Sequence, residues 1–191
     1  EFGHLMHQLL AGKKRWATPD EPFLTVRTEH AGIALLDFHR KGITGFDARS
    51  ALQGMAAESA TLARATPDEQ IEAAYDDWAI AELASDLGLT DLAQKHRQQA
   101  LAYRAMWLAT FNQLGPDGDV VKARGLYQGT LAQYRWAPVF DLPWVKATMG
   151  ERFETELATF FADNLFNMTN QPDMHVPYIL GWAGKSAASE A

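Results

Sequence analysis

The run Thr66-Pro67-Asp68-Glu69-Gln70-Ile71-Glu72-Ala73-Ala74-Tyr75-Asp76-Asp77-Trp78, continuing to Leu87-Gly88, decides the fold class. Thr66 is placed to cap a helix, Pro67 suits the first helical position because it has no N–H to lose, and Glu69 completes a capping box. Behind that start Ile71, Ala74, Tyr75 and Trp78 recur at helical spacing, and Gly88 is a natural stop. The same pattern extends in both directions. Upstream, a helical repeat through Ile33 and Leu36 runs from about Val26 to Arg40 and ends at Gly42. Asp47 is then a fair cap for a helix through Leu52, Met55, Ala56 and Ala63. Downstream, Thr90 opens a helix that places Leu92, His96, Tyr103 and Trp107 near one face, and Gly115 to Asp119 reads as a turn. Leu142 to Met149 predicts a short helix stopped by Gly150, Glu151 to about Phe166 an amphipathic one, and Pro172 to Gly184 a last one. Strand patterns are almost absent. The expected class is all-α, built of helix–loop–helix pairs.

Length and composition set the outer limits. The chain has 191 residues, 47% of them apolar, which is enough for one ordinary domain with a buried core. Its composition shows no break, so a single domain over 1–191 is expected. A net charge of −7 gives no bulk attraction to a phosphate backbone, so no nucleic-acid partner is expected. With no cysteine there is neither a disulfide framework nor a thiolate metal site. No run of apolar residues approaches the length of a membrane span, so no membrane partner is expected. Glu1 to Met6 lacks the basic stretch and apolar run of a signal peptide, and Lys185 to Ala191 reads as a frayed end.

Two stretches escape the helical pattern. Val120 to Asp141 is rich in glycine and aromatics, and Asn167 to Gln171 precedes the last helix. Irregular backbone dense in aromatic and amide side chains needs partners for its polar groups, which favours a site there over plain packing. Ala79 to Gly88 with Ala93 and Tyr103 also has a superficial likeness to a tetratricopeptide repeat. No second copy follows, so a non-catalytic helical-hairpin interaction module stands as the rival reading.

The irregular strings resemble glycoside hydrolase family 92, the calcium-dependent α-mannosidases. That family carries Glu-Gly-Asn-x-x-Gln-Tyr-x-Trp-x-x-Pro-His-Asp around its general acid, and Gly129, Gln133, Tyr134, Trp136 and Asp141 keep this register. A downstream Gly-Asn-Glu-Pro-x-x-His-x-x-Tyr-Leu-x-x-x-Ala-Gly string helps build the family's calcium site. Asn170, Pro172, His175, Tyr178, Ala183 and Gly184 match it without a gap. Asp76-Asp77-Trp78 with Leu87-Gly88 resembles the family's Asp-Asp-Trp helix, and Lys41-Gly42-Ile43 with Phe46-Asp47 its Lys-Gly…Phe-Asp segment. The likeness runs from about residue 26 to 184. It implies part of an (α/α)6 toroid, a mannosylated or phosphomannosylated glycan as substrate, Ca2+ as cofactor, and a secreted bacterial setting. It also implies that a β-sandwich and a base-bearing Gly-Asn-Asp-x-Gly-like segment complete the site; neither is found in these 191 residues, so the chain alone is expected to be inactive.

The departures refine the expectation. Gln128 stands at the position of the acid, and a carboxamide has no proton to give at any relevant pH. A phosphate leaving group, with a second pKa of about 6, needs no such proton. The pattern resembles a branch that removes mannose from mannose-1-phospho-6-mannose, with an inverting mechanism that needs no general acid. In that frame Gln128 and Thr169 would hold the phosphate, with Tyr127 beside them, while Tyr134, Trp136 and His175 would contact the sugar. Val139 for Pro and Phe140 for His make that wall differ, the latter by becoming more apolar. Asn170 and Gln171 are the candidate calcium ligands. Gln171 replaces a Glu and so removes a charge, though a carbonyl oxygen still ligates calcium.

Plainer readings stand beside these. An ordinary α-1,2-type exo-α-mannosidase would use an acid elsewhere in the sequence. His175 could be a core or capping histidine, and Trp78 and Trp107 read as core. One of Asp76 and Asp77 is expected exposed and the other buried, and Arg135 is expected to pair with an acid such as Asp141. His30, His39 and His96 lie on helices without ligand spacing among them.

Overall fold

A computed structural model of the protein describes residues 30–114, 126, 128–168 and 171–185. Every element among them is helical. They are α1 (Ala31–Arg40), α2 (Ala48–Ser59), α3 (Pro67–Asp86), α4 (Thr90–Leu101), α5 (Tyr103–Thr110), α6 (Leu131–Tyr134), α7 (Leu142–Met149), α8 (Arg152–Ala162) and α9 (Val176–Trp182). Short 3₁₀ turns at Val139–Asp141 and Gln171–Asp173 precede α7 and α9. All-α helix pairs are what the sequence pattern and an α/α toroid fragment require. The Gly115–Asp119 turn lies outside the described residues.

The predicted starts and stops hold where a cap or a glycine enforces them. Asp47 accepts from Arg49 N–H at 3.1 Å and opens α2. Glu69 accepts the N–H groups of Ala65 (2.8 Å) and Thr66 (3.1 Å), while the Thr66 hydroxyl donates to Asp68 (2.5 Å). Gly42, Gly88 and Gly150 adopt φ of +72°, +75° and +60°, conformations that L side chains rarely take, and the helix before each ends there. Elsewhere the pattern overran the structure. The helix predicted from Thr90 is two helices parted at Ala102, and α8 stops at Ala162 because Asn164 turns into the left-handed region at φ +54°. The last helix begins only at Val176, since the 3₁₀ turn and His175 come first.

By contacts the chain divides into two compact units, Glu1–Arg64 with Glu72–Tyr103, and Ala65–Ile71 with Arg104–Ala191, although its composition suggests one. The first buries Leu35, Leu52, Met55, Ile80 and Leu83 from α1, α2 and α3. Gly32 lets α1 approach α2: a Cβ there would lie 3.0 Å from Met55 Cε. The second unit has an aromatic core. Trp107 and Trp136 are buried, with Trp107 edge-on to Trp144 (5.4 Å) and Trp136 edge-on to Phe153 (5.6 Å) and Phe160 (6.4 Å).

A polar cluster is sealed into the first unit. Asp77, fully buried, accepts from Ser59 Oγ (2.7 Å) and Arg64 Nη2 (2.8 Å) and bonds His96 Nδ1 (2.7 Å). Asp76 is buried too and bonds His30 Nδ1 at 2.9 Å. The expectation of one exposed and one buried aspartate is thereby corrected: both are buried, and each has a histidine reaching one of its oxygens from another helix or turn.

Candidate active site

In the second unit the two irregular strings come together. Gly129, at φ +74°, swings the chain from Gln128 into the start of α6. Thr130 caps that helix, accepting from Gln133 N–H (3.2 Å), while Gln133 Oε1 accepts from Thr130 N–H (2.9 Å). This reciprocal box is the Thr-x-x-Gln signature, and it makes a four-residue helix persist. The Gln133 side chain is turned inward. Its Nε2 donates to Asp173 Oδ2 at 2.9 Å, across 40 residues, and to Leu165 O at 3.4 Å.

Asp173 is fully buried and also accepts from Asn167 N–H at 2.6 Å, so it ties both ends of the 167–173 stretch. Its Oδ1 is buried with no hydrogen-bond partner among the described residues. Burial without a cation raises its pKa above the usual carboxylate value, opposed by the N–H donors on Oδ2. A second tie lies two residues on. His175 Nε2 donates to Trp136 O at 2.9 Å, and burial holds the imidazole below its usual pKa, in the neutral form.

The backbone between these ties is pinned from the other side as well. Trp107 Nε1 donates to Arg135 O at 3.1 Å. Arg104 grips Asp141 with two bonds of 2.8 Å while its guanidinium lies 4.8 Å over the Trp144 ring. Arg135 therefore does not pair with Asp141. It is buried, ion-paired with Glu156 and donating to Asn112 O at 3.2 Å, while Asp141 is paired with Arg104.

Of the sequence-predicted site residues, Gln128 is half-buried beside the Gly129 turn. Tyr134 and Trp136 are 1% exposed and act here as core; Trp136 borders a cavity of about 350 Å³ shared with Arg135, Arg152, Glu156 and Phe160. His175 is half-buried, and its Nε2–H donates to the Trp136 carbonyl. Tyr127, Thr169 and Asn170 lie outside the described residues, as does the side chain of Gln171, whose backbone opens the 3₁₀ turn. Asp173 and the inward role of Gln133 were not foreseen. Thr130-x-x-Gln133 was the visible signal for Gln133, whereas nothing local marks an aspartate whose partners lie 6 and 40 residues away.

Among the described residues no three His or acidic side chains converge as a metal site. Calcium takes six to eight oxygens, and Asp173 Oδ1 is a single one, so the described residues do not assemble a calcium cage.

The fold is an all-α one of helical hairpins, with two loop strings clasped at the start of a capped short helix. The glycosyl hydrolase family 92 catalytic domain matches the chain over residues 64–191, more than half its length, and the chain belongs to that family. Among solved structures it is similar to the GH92 family glycosyl hydrolase CcMan5, with a TM-score of 0.74 at 22% identity. That match covers 97% of this chain and 30% of that chain, and the likeness is one of fold. No curated protein matches.

Proposed function

We propose that the polypeptide carrying this chain is a glycan-active hydrolase that removes the terminal α-linked mannose from a mannose-1-phospho-6-mannose phosphodiester. The observation that carries the reading is Gln128, an amide at the family's acid position, set on the Gly129 turn before a capped helix. An amide offers two N–H donors and no titratable proton. Facing a sugar alkoxide, that would sacrifice roughly 10²- to 10⁴-fold of general-acid catalysis. Facing a phosphate, which departs unprotonated, it donates hydrogen bonds where a carboxylate would repel. Water then attacks the anomeric carbon from the opposite face with inversion, and its proton goes to a carboxylate base. No string like the family's base-bearing one occurs in these residues, so the activity belongs to the whole polypeptide.

The test is mannose release by the whole polypeptide from mannose-1-phospho-6-mannose and from α-1,2-mannobiose, with and without a calcium chelator. Cleavage of the phosphodiester alone is expected, with loss on chelation following from the family's calcium dependence. Efficient cleavage of the mannobiose would overturn the reading.

A further inference from the structure

We infer that Gln133 and Asp173 form a positioning clasp that sets the loop bearing Gln128 in register with the 167–173 stretch. The inference rests on the proposed site but adds residues that the reading did not use. Gln133 is the hinge of the device because its amide is used at both ends. Oε1 takes the Thr130 N–H, fixing the residue that follows Gly129, and Nε2 gives to Asp173 Oδ2. The same Oδ2 takes the Asn167 N–H. One unbroken path of three hydrogen bonds, 2.9, 2.9 and 2.6 Å, therefore runs from Thr130 through Gln133 and Asp173 to Asn167.

The direction of the path is set. Thr130 N–H and Asn167 N–H can only donate, so an acceptor must sit at each end. Gln133 supplies an acceptor and a donor, and Asp173 supplies an acceptor for two donors. Burial makes the central bond the consequential one: Gln133 is 4% and Asp173 0% exposed, so water does not readily replace a partner lost there, whereas Thr130 is half-buried and Asn167 exposed. Displacement of a positioned group by about 1 Å costs on the order of 10²-fold in rate. Neither residue touches substrate in this account; both act through Gln128 and the 167–173 stretch.

The test removes the hinge and keeps the acceptor. Gln133→Met keeps the length of the side chain but offers neither the acceptor for Thr130 nor the donor for Asp173, so the path is broken at both of its bonds. Asp173→Asn, with its amide oxygen in the place of Oδ2, still accepts from both Gln133 Nε2 and Asn167 N–H and is the conservative variant. Amide hydrogen exchange at Thr130 and Asn167, measured on the chain as it stands, reads the clasp without any activity. Gln133→Met is expected to raise exchange at both amides at least tenfold, although Asn167 is not its neighbour in sequence, and Asp173→Asn to raise it by less than threefold. On the whole polypeptide, Gln133→Met is expected to lower kcat for the phosphodiester about 10- to 100-fold with KM changed by less, and Asp173→Asn to hold kcat within a few-fold of the parent.

Unchanged Asn167 exchange in Gln133→Met, or exchange raised as much in Asp173→Asn, would overturn the clasp. Coupled exchange in a polypeptide that cleaves only mannobiose would retain the clasp and reject the phosphodiester reading. Intact exchange coupling with kcat unaffected would reject the positioning role.

Discussion

Asp77 and Asp173 are both fully buried aspartates on family strings, and they are held in opposite ways. Asp77 is surrounded by charge and potential charge, with Arg64, His96 and Ser59 on its two oxygens. Asp173 is held by neutral amides alone, on one oxygen, and leaves the other bare. Burial is the same; the partners differ. A guanidinium compensates the desolvation of a carboxylate, whereas two N–H dipoles do so incompletely, and the pKa of Asp173 rises accordingly. The first arrangement locks three elements of one unit together. The second positions a loop beside a candidate site and leaves it sensitive to protonation.

Removing Asp77 should produce the largest loss of stability. Asp77→Ala leaves Arg64 and the buried His96 without their acceptor, at a cost of about 3 kcal/mol, the low end for a broken buried pair because Arg64 is partly exposed. A fall of roughly 10 °C in the thermal midpoint is expected. Asp173→Leu should cost less, about 2 kcal/mol, since only neutral donors lose an acceptor. Urea unfolding of the two variants ranks them; Asp173→Leu equal to or worse than Asp77→Ala would break the comparison.

A pH series sharpens it. The folded pKa of His175 is lowered, so the fold resists protonation there; this stability is complete above about 6.5 and is lost as pH falls below it. The folded pKa of Asp173 is raised, so its ionised form costs stability above that pKa, and the cost disappears as pH falls through it. Between pH 7.5 and 5.5 the His175 effect lowers stability. His175→Gln, whose amide can still donate to the Trp136 carbonyl, should lose less of its thermal midpoint over that interval than the parent. Parallel curves would show that His175 does not carry this dependence. The smallest effect is expected from Thr130→Ala, about 1 kcal/mol for a lost helix cap, read by the same unfolding measurement.

What the sequence made legible was local. Asp47, Glu69 and the glycines at 42, 88 and 150 act within a few residues of themselves, and the helices begin or end at them. The break at Ala102 was not legible, because alanine at helical φ carries no stop signal. The late start of α9 depends on the 3₁₀ turn at Gln171–Asp173, which helical periodicity runs straight through. For the site, the strings around Gln128 and His175 were visible, yet their joining was not. Gln133 to Asp173, His175 to Trp136 and Arg104 to Asp141 span 40, 39 and 37 residues. Pairing at that range is decided by which cores bury which loops. Trp136 was readable either as a sugar platform or as core, and the rings of Phe153 and Phe160 around it make it core in this chain.

The most direct test of the account concerns Gln128. Mannose release from mannose-1-phospho-6-mannose and from α-1,2-mannobiose should be compared for the whole polypeptide and its Gln128→Glu variant. The account predicts that the variant, given a proton donor, shifts the ratio of the two rates toward mannobiose by at least tenfold, part of the roughly 10²- to 10⁴-fold that a general acid supplies. An unchanged ratio would contradict it.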